Sequence, residues 1–83
     1  MNITIKYFAS IRELVGIGHE KVSCSASTLS ALRDELIARG GGYAQSLARG
    51  RPVRIALNQV MSDESAVLLD GAEVAFFPPV TGG

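Results

Sequence analysis

Ile3, Ile5 and Tyr7 alternate with Thr4 and Lys6, the period-two pattern of a strand with one buried face. Phe8 has the parity of the outer face. Ser10-Ile11-Arg12-Glu13 matches the S-x-x-E capping box, which predicts a short helix starting at Ser10. Ile11, Leu14 and Val15 then share one side of it, and Gly16 and Gly18 end it. His19–Ser23, with Val22 between polar residues, reads as a second strand. The clearest helix begins at Ser27 or Thr28, both good N-caps. Leu29, Leu32, Leu36 and Ile37 form its apolar face, Arg33, Asp34 and Glu35 face water, and Gly40-Gly41-Gly42 stops it. Residues 43–47 add one helical turn. Pro52 opens a strand over 53–57 whose Val53, Ile55 and Leu57 share a face, and Asn58-Gln59 forms a turn. Val67-Leu68-Leu69, Asp70-Gly71 and residues 73–77 read as apolar segment, tight turn and strand.

This order predicts an α+β fold: a mixed sheet packed on one main helix, the arrangement of the β-grasp, or ubiquitin-like, domain. The pattern breaks after Phe77. Pro78-Pro79-Val80-Thr81-Gly82-Gly83 has two residues without amide protons and two without side chains, so it cannot continue a central strand. The expected division is a domain over 1–77 and a flexible, extended Gly-Gly tail over 78–83.

Composition narrows the function. The chain has 83 residues, 47% of them hydrophobic, with eight Lys+Arg against eight Asp+Glu. That length holds one domain and leaves little surface for a deep substrate pocket. Zero formal charge argues against a phosphate-driven nucleic-acid binder and against electrostatic membrane attachment. No apolar run approaches the roughly 20 residues of a membrane span. One cysteine cannot make an internal disulfide, so a soluble cytoplasmic protein is expected.

Candidate chemistry within the body is thin. Cys24 and His19 cannot supply the four ligands of a structural zinc site, so no metal is expected. Cys24 has no neighbouring Lys or Arg in sequence to favour a thiolate and reads as a small half-buried residue. Neither Gly16-Ile17-Gly18 nor Gly40-Gly41-Gly42 extends into a phosphate-binding motif. Asp34-Glu35 and Asp63-Glu64 are adjacent carboxylates that do not share a helix face, hence solvated charge. Arg49, Arg51 and Arg54 form one basic cluster, read as a solvated edge or a patch for an acidic partner. Phe8, Phe77 and Met61 belong either to the core or to an exposed apolar patch. Tyr7-Phe8 and Phe76-Phe77 are consecutive pairs on strands, so one member of each points away from the helix.

The tail offers the most coherent chemistry. The α-carboxylate of Gly83 stands at the end of an arm that Pro78, Pro79, Val80 and Thr81 hold extended. Gly82-Gly83 has no Cβ and passes through a slot too narrow for other residues. A carboxylate is a poor electrophile, so its reactivity would require activation by another enzyme with ATP. A plain frayed end is the competing reading.

The ending D-G-x-E-V-A-F-F-P-P-V-x-G-G, over residues 70–83, resembles the C-terminal signature of the small subunit of molybdopterin synthase, the MoaD-type sulfur carriers. Tyr7-Phe8-Ala9, Ile11-Arg12-Glu13-Leu14-Val15-Gly16, Thr28-Leu29 with Ala31-Leu32-Arg33, and Ala56-Leu57-Asn58-Gln59 are similar at corresponding places. The resemblance spans the chain and is loosest over 40–51. It implies a cycle in which an E1-like, MoeB-type enzyme adenylates Gly83 at the expense of ATP. A persulfide donor then converts it to a thiocarboxylate. The loaded tail enters a MoaE-type large subunit and gives its sulfur to cyclic pyranopterin monophosphate, building the dithiolene of the molybdenum cofactor. It further implies a heterotetramer, no permanently bound cofactor and no turnover by this chain alone. Phe8, Arg12, Met61 and Phe77 would lie on the face shared by both partners, and residues 78–81 would lead Gly82 and Gly83 inward. A carrier for thiamine thiazole, a ubiquitin-like protein modifier and a plain interaction module remain alternatives.

Overall fold

The computed structural model describes residues 1–79, so Val80, Thr81, Gly82 and Gly83 lie outside the described residues. The elements in chain order are β1 (Asn2–Tyr7), α1 (Ala9–Val15), β2 (His19–Ser23), α2 (Leu29–Ile37), α3 (Gly41–Leu47), β3 (Arg54–Leu57), β4 (Val60–Met61) and β5 (Glu73–Phe77). The strands form one five-stranded mixed sheet in the order β2-β1-β5-β3-β4. β1 and β5, from opposite ends of the chain, pair in parallel at its centre, with Thr4 opposite Glu73 and Tyr7 opposite Phe76. The other pairings are antiparallel. This is the expected β-grasp.

The period-two reading of β1 holds: Ile3, Ile5 and Tyr7 are buried. Together with Ile55, Val74 and Phe76 they form one core with Ile11 of α1, Leu29, Leu32 and Leu36 of α2, Leu47 of α3, and Leu68. Tyr7 and Phe76 stack at 6.2 Å and 14° between planes. Full burial of each such aliphatic or aromatic side chain contributes about 1.5–3 kcal/mol. α2 starts as expected, with the Thr28 hydroxyl oxygen accepting from the Ala31 amide at 3.1 Å.

Four local readings need correction. The Ser10 capping box does not form: α1 starts at Ala9, its N-cap is Phe8, and no side chain caps it. The Phe8 amide is engaged by the Phe76 carbonyl at 3.1 Å, so strand pairing runs to the residue before the helix. The chain reverses at Ala9, which adopts φ +51°. That left-handed conformation costs an L-residue about 1–2 kcal/mol.

Arg33 does not face water. It is 4% exposed, its Nε donates to the Leu47 carbonyl at 2.7 Å, and its NH2 group donates to the Ala48 and Arg51 carbonyls at 2.9 and 3.2 Å. Its NH1 group donates to Glu64 Oε2 at 3.0 Å. At i+4 from Leu29 and i−4 from Ile37, Arg33 lies on the buried side of α2, and α3 ends on its guanidinium, which satisfies the free carbonyls there.

α3 is also longer than the single turn expected, starting at Gly41. A Cβ on Gly42 would overlap the Leu14 carbonyl, so this glycine permits close approach of α3 to α1 rather than only stopping a helix. Finally, the arginine cluster is not uniformly solvated charge. Arg49 is held by Asp34 at 2.9 Å, by Glu64, and by the Ser30 carbonyl and hydroxyl, whereas among the described residues neither Arg51 nor Arg54 forms an ion pair.

The Asn58-Gln59 turn has φ +49° and +69°, the two positive values of a type I′ hairpin, and it pairs β3 with the short β4 that periodicity did not reveal. Asn58 fastens this hairpin to β5 by two bonds to Glu73, its amide to the carbonyl at 2.8 Å and its Oδ1 from the amide at 3.0 Å.

At the other sheet edge, Glu20 accepts from the Tyr7 hydroxyl at 2.8 Å, the Tyr43 hydroxyl at 2.6 Å and Arg39 at 2.9 Å. Burial alone would raise the Glu20 carboxyl, but the donors Tyr43, Arg39 and Tyr7 outweigh it and hold it below the usual carboxylate value. Burial and the bond to Glu20 push the Tyr7 phenol far above its ordinary value.

Candidate functional site

Strand parity carries the site. The face of the sheet opposite α2 bears Lys6 of β1, Ala75 and Phe77 of β5, Arg54 and Ala56 of β3, and Met61 of β4. The register sets Lys6, Ala75, Ala56 and Met61 in one row across four strands, and Phe77 opposite Arg54 in the next. Phe8, one residue beyond β1, brings its ring edge-on to Phe77 at 6.2 Å and 86°. Phe8 is 46% and Met61 50% exposed, while Phe77 is half-buried. The small Ala75 and Ala56 leave a low apolar floor between the Phe pair and Met61. Lys6, paired with Glu73 at 3.2 Å, and the exposed Arg54 border it.

The expected patch residues Phe8, Phe77 and Met61 thus share one sheet face. Arg12 stands beside it on α1, where its amide donates to the Phe8 carbonyl at 3.2 Å. Its guanidinium folds over the loop after α1, so close that a Cβ on Gly18 would lie 3.2 Å from Nε. Arg12 therefore flanks the patch without lying on the sheet.

The root of the tail leaves at the end of β5. Pro78 and Pro79 are half-buried and line a groove of about 240 Å³ with Ile11 and Leu14 of α1, Ser46 of α3, and Pro52. Arg51 lines the same groove, and Arg54 pairs with Phe77 in the next strand. Two cations therefore bracket the point of departure. Sequence reasoning missed Arg51, Pro52 and the alanine floor as parts of this site. Parity could have shown Ala56 and Ala75, but nothing local predicts that residues 51 and 52 return to the end of β5. Val80, Thr81, Gly82 and Gly83 lie outside the described residues.

His19 is exposed on β2, and Cys24 is half-buried where its amide bonds the Met1 carbonyl, at the opposite end of β1 from the tail root. Among the described residues no three His, Cys, Asp or Glu side chains gather as metal ligands, and no helix is long and apolar enough to cross a membrane.

A mixed sheet wrapped on one main helix, with an aromatic patch on its helix-free face beside the departing C-terminus, defines a ubiquitin-like β-grasp protein. Residues 5–83 match the ThiS family, and the chain belongs to that family. It is 42% identical over 81 residues to the molybdopterin synthase sulfur carrier subunit of Escherichia coli (strain K12), covering 98% of this chain and 99% of that one. The protein of the same name from Haemophilus influenzae is 35% identical over 81 residues, with the same coverage. Among solved structures, the complex of subunits 1 and 2 of molybdopterin-converting factor from Helicobacter pylori 26695 contains a chain that superposes with a TM-score of 0.70 at 28% identity, covering 100% of both. The expected kinship with molybdopterin synthase small subunits agrees with these findings.

Proposed function

We propose that this chain is the sulfur-carrying small subunit of a molybdopterin synthase. The observation that carries this reading is the end-to-end match, 98% of this chain on 99% of a sulfur carrier subunit at 42% identity. The apolar face beside the tail root supplies a physical reason for it. The body over 1–77 serves as a docking block and residues 78–83 as the delivery arm.

In this reading an E1-like, MoeB-type enzyme uses ATP to convert the Gly83 carboxylate to an acyl-adenylate, with loss of pyrophosphate. A persulfide donor displaces AMP, and cleavage of the resulting sulfur–sulfur bond by a thiol leaves the thiocarboxylate. Phe8, Phe77 and Met61 then dock on a MoaE-type large subunit with Arg12 at the flank. Pro78, Pro79, Val80 and Thr81 lead Gly82 and Gly83 to cyclic pyranopterin monophosphate. Holding the sulfur on an inserted arm makes its attack effectively unimolecular.

The large subunit supplies the substrate pocket and proton transfers, and the assembly is a heterotetramer with a small subunit at each end. No cofactor resides on this chain. A fold closed without a disulfide suits the reducing cytoplasm, the compartment we assign.

Intact mass spectrometry tests the reading. Incubation with the adenylating enzyme, ATP and a persulfide donor should exchange one terminal oxygen for sulfur, and addition of the large subunit and cyclic pyranopterin monophosphate should return the oxygen form with dithiolene product. An unchanged mass accompanied by conjugates on lysines would overturn it in favour of a protein modifier.

A further inference from the structure

The other end of the sheet carries a second surface unrelated to the tail. β2 is an edge strand paired only with β1. The Cys24 amide bonds the Met1 carbonyl, and the Tyr7 amide bonds the Gly18 carbonyl. Ladder alternation then turns the backbone groups of Glu20 and Val22 inward and those of His19, Lys21 and Ser23 out to the free edge. Beneath that edge lies a groove of about 260 Å³ between β2 and α2. Its walls include Val22 and Cys24, its floor the buried Leu32 and Leu36, and its far rim Glu35 and Arg39.

Charge on the two faces of this edge differs. On the groove side Arg39 is paired with Glu20 at 2.9 Å, and Glu35 accepts from the Ser25 hydroxyl at 3.1 Å. On the other face His19 and Lys21 are exposed and, among the described residues, neither forms an ion pair. Their cross-strand neighbours are Lys6 and Thr4, and the adjacent Glu73 is engaged by Lys6. That edge face is basic and the groove face apolar.

We propose that the β2 edge and the β2–α2 groove dock an extended segment of a partner protein whose residues alternate apolar and acidic, added to the sheet as a strand. Its backbone bonds His19, Lys21 and Ser23, its apolar side chains enter the groove, and its carboxylates meet Lys21 and His19. A second copy does not fit: two-fold pairing about the middle of β2 sets Lys21 against its own equivalent, a like-charge contact that edge lysines use to block self-pairing. β1 separates this edge from β5, so the segment binds with the tail root free.

The probe is a blocked synthetic peptide alternating Val and Glu, titrated into the isotope-labelled full chain and followed by amide shifts and calorimetry. Shifts should concentrate on residues 19–24 and 32–39. Lys21→Glu should weaken binding about tenfold, since it turns a cross-strand attraction into a repulsion. Lys21→Pro removes an edge-facing donor without touching the β1 ladder and should abolish binding; if that variant does not fold, a proline in the middle of the peptide makes the same test. The proposal is overturned by equal binding of a Val–Lys peptide, by shifts confined to the Phe8–Phe77 face, by no shifts at about 1 mM peptide, or by association of the chain with itself through β2.

Discussion

Phe8 and Phe77 meet edge to face on the helix-free side of the sheet, ring centroids 6.2 Å apart, while the residues just before them, Tyr7 and Phe76, stack at the same separation in the core. Both pairs hang from one parallel strand pair, so the rigid inner pair sets the spacing of the outer one. The outer pair is therefore a preorganised anchor, whose ordering entropy is already paid on folding.

Phe77→Ala should separate docking from stability. We expect large-subunit binding to weaken by about 1–3 kcal/mol, as for a central aromatic anchor. The fold should lose little beyond the ring pair and its partial burial, about 1–2 kcal/mol. Calorimetric titration and urea denaturation measure the two, and unchanged affinity would show that docking occurs elsewhere.

Deleting Gly83 should abolish sulfur loading in the intact-mass assay while shifting stability by no more than about 0.5 kcal/mol, the usual range for changes away from packed elements. Among the described residues, every core residue precedes Phe77. A large fall in melting temperature would mean the tail is structural.

Arg33→Met should cost about 3–5 kcal/mol, because it leaves the Leu47, Ala48 and Arg51 carbonyls without their donor and Glu64 with Arg49 as its remaining cation. Arg33→Lys should recover only part, lacking the fork that reaches all four acceptors. Urea midpoints decide this, and a neutral Arg33→Met would show that water replaces the guanidinium.

Gly42→Ala should destabilise by at least about 1–3 kcal/mol, since the new Cβ meets the Leu14 carbonyl and forces α1 and α3 apart. Because Leu14 and Ser46 line the groove under Pro78 and Pro79, amide shifts of those neighbours should move as well. Wild-type stability would mean the helices re-seat freely.

Acid should expose the Glu20 network. Its folded carboxyl titrates below the usual carboxylate value, so its contribution is present above that usual value and is lost as pH falls through the folded one. Tyr7 and Tyr43 titrate above 10.0 when folded, so the stability they contribute is present below pH 10 and is lost in alkali. Glu20→Gln should lower stability at neutral pH and flatten the acid limb; equal slopes for both proteins would show that Glu20 does not govern it.

Much of this protein was legible from residue order because its signals are local. The alternation of β1, the leucine spacing and Thr28 cap of α2, and the Asn58-Gln59 turn each report a backbone conformation that neighbours within a few residues decide. The Phe8 and Phe77 side of the sheet followed from parity, and kinship followed from the ending over 70–83. Arg33 was misread because its charge argued for water, although its spacing of four from both Leu29 and Ile37 puts it on the buried face; only α3 supplies the carbonyls that satisfy it there. It misread Ser10 because a cap needs a free chain entry, and strand pairing by Phe8 removed it. The return of Arg51 and Pro52 to the tail root, the contact of Gly42 with Leu14 and the free edge of β2 exist only once distant segments pack. Local sterics and hydrophobic period select elements; which backbones come close enough to share a carbonyl, a groove or a charge is decided by tertiary packing.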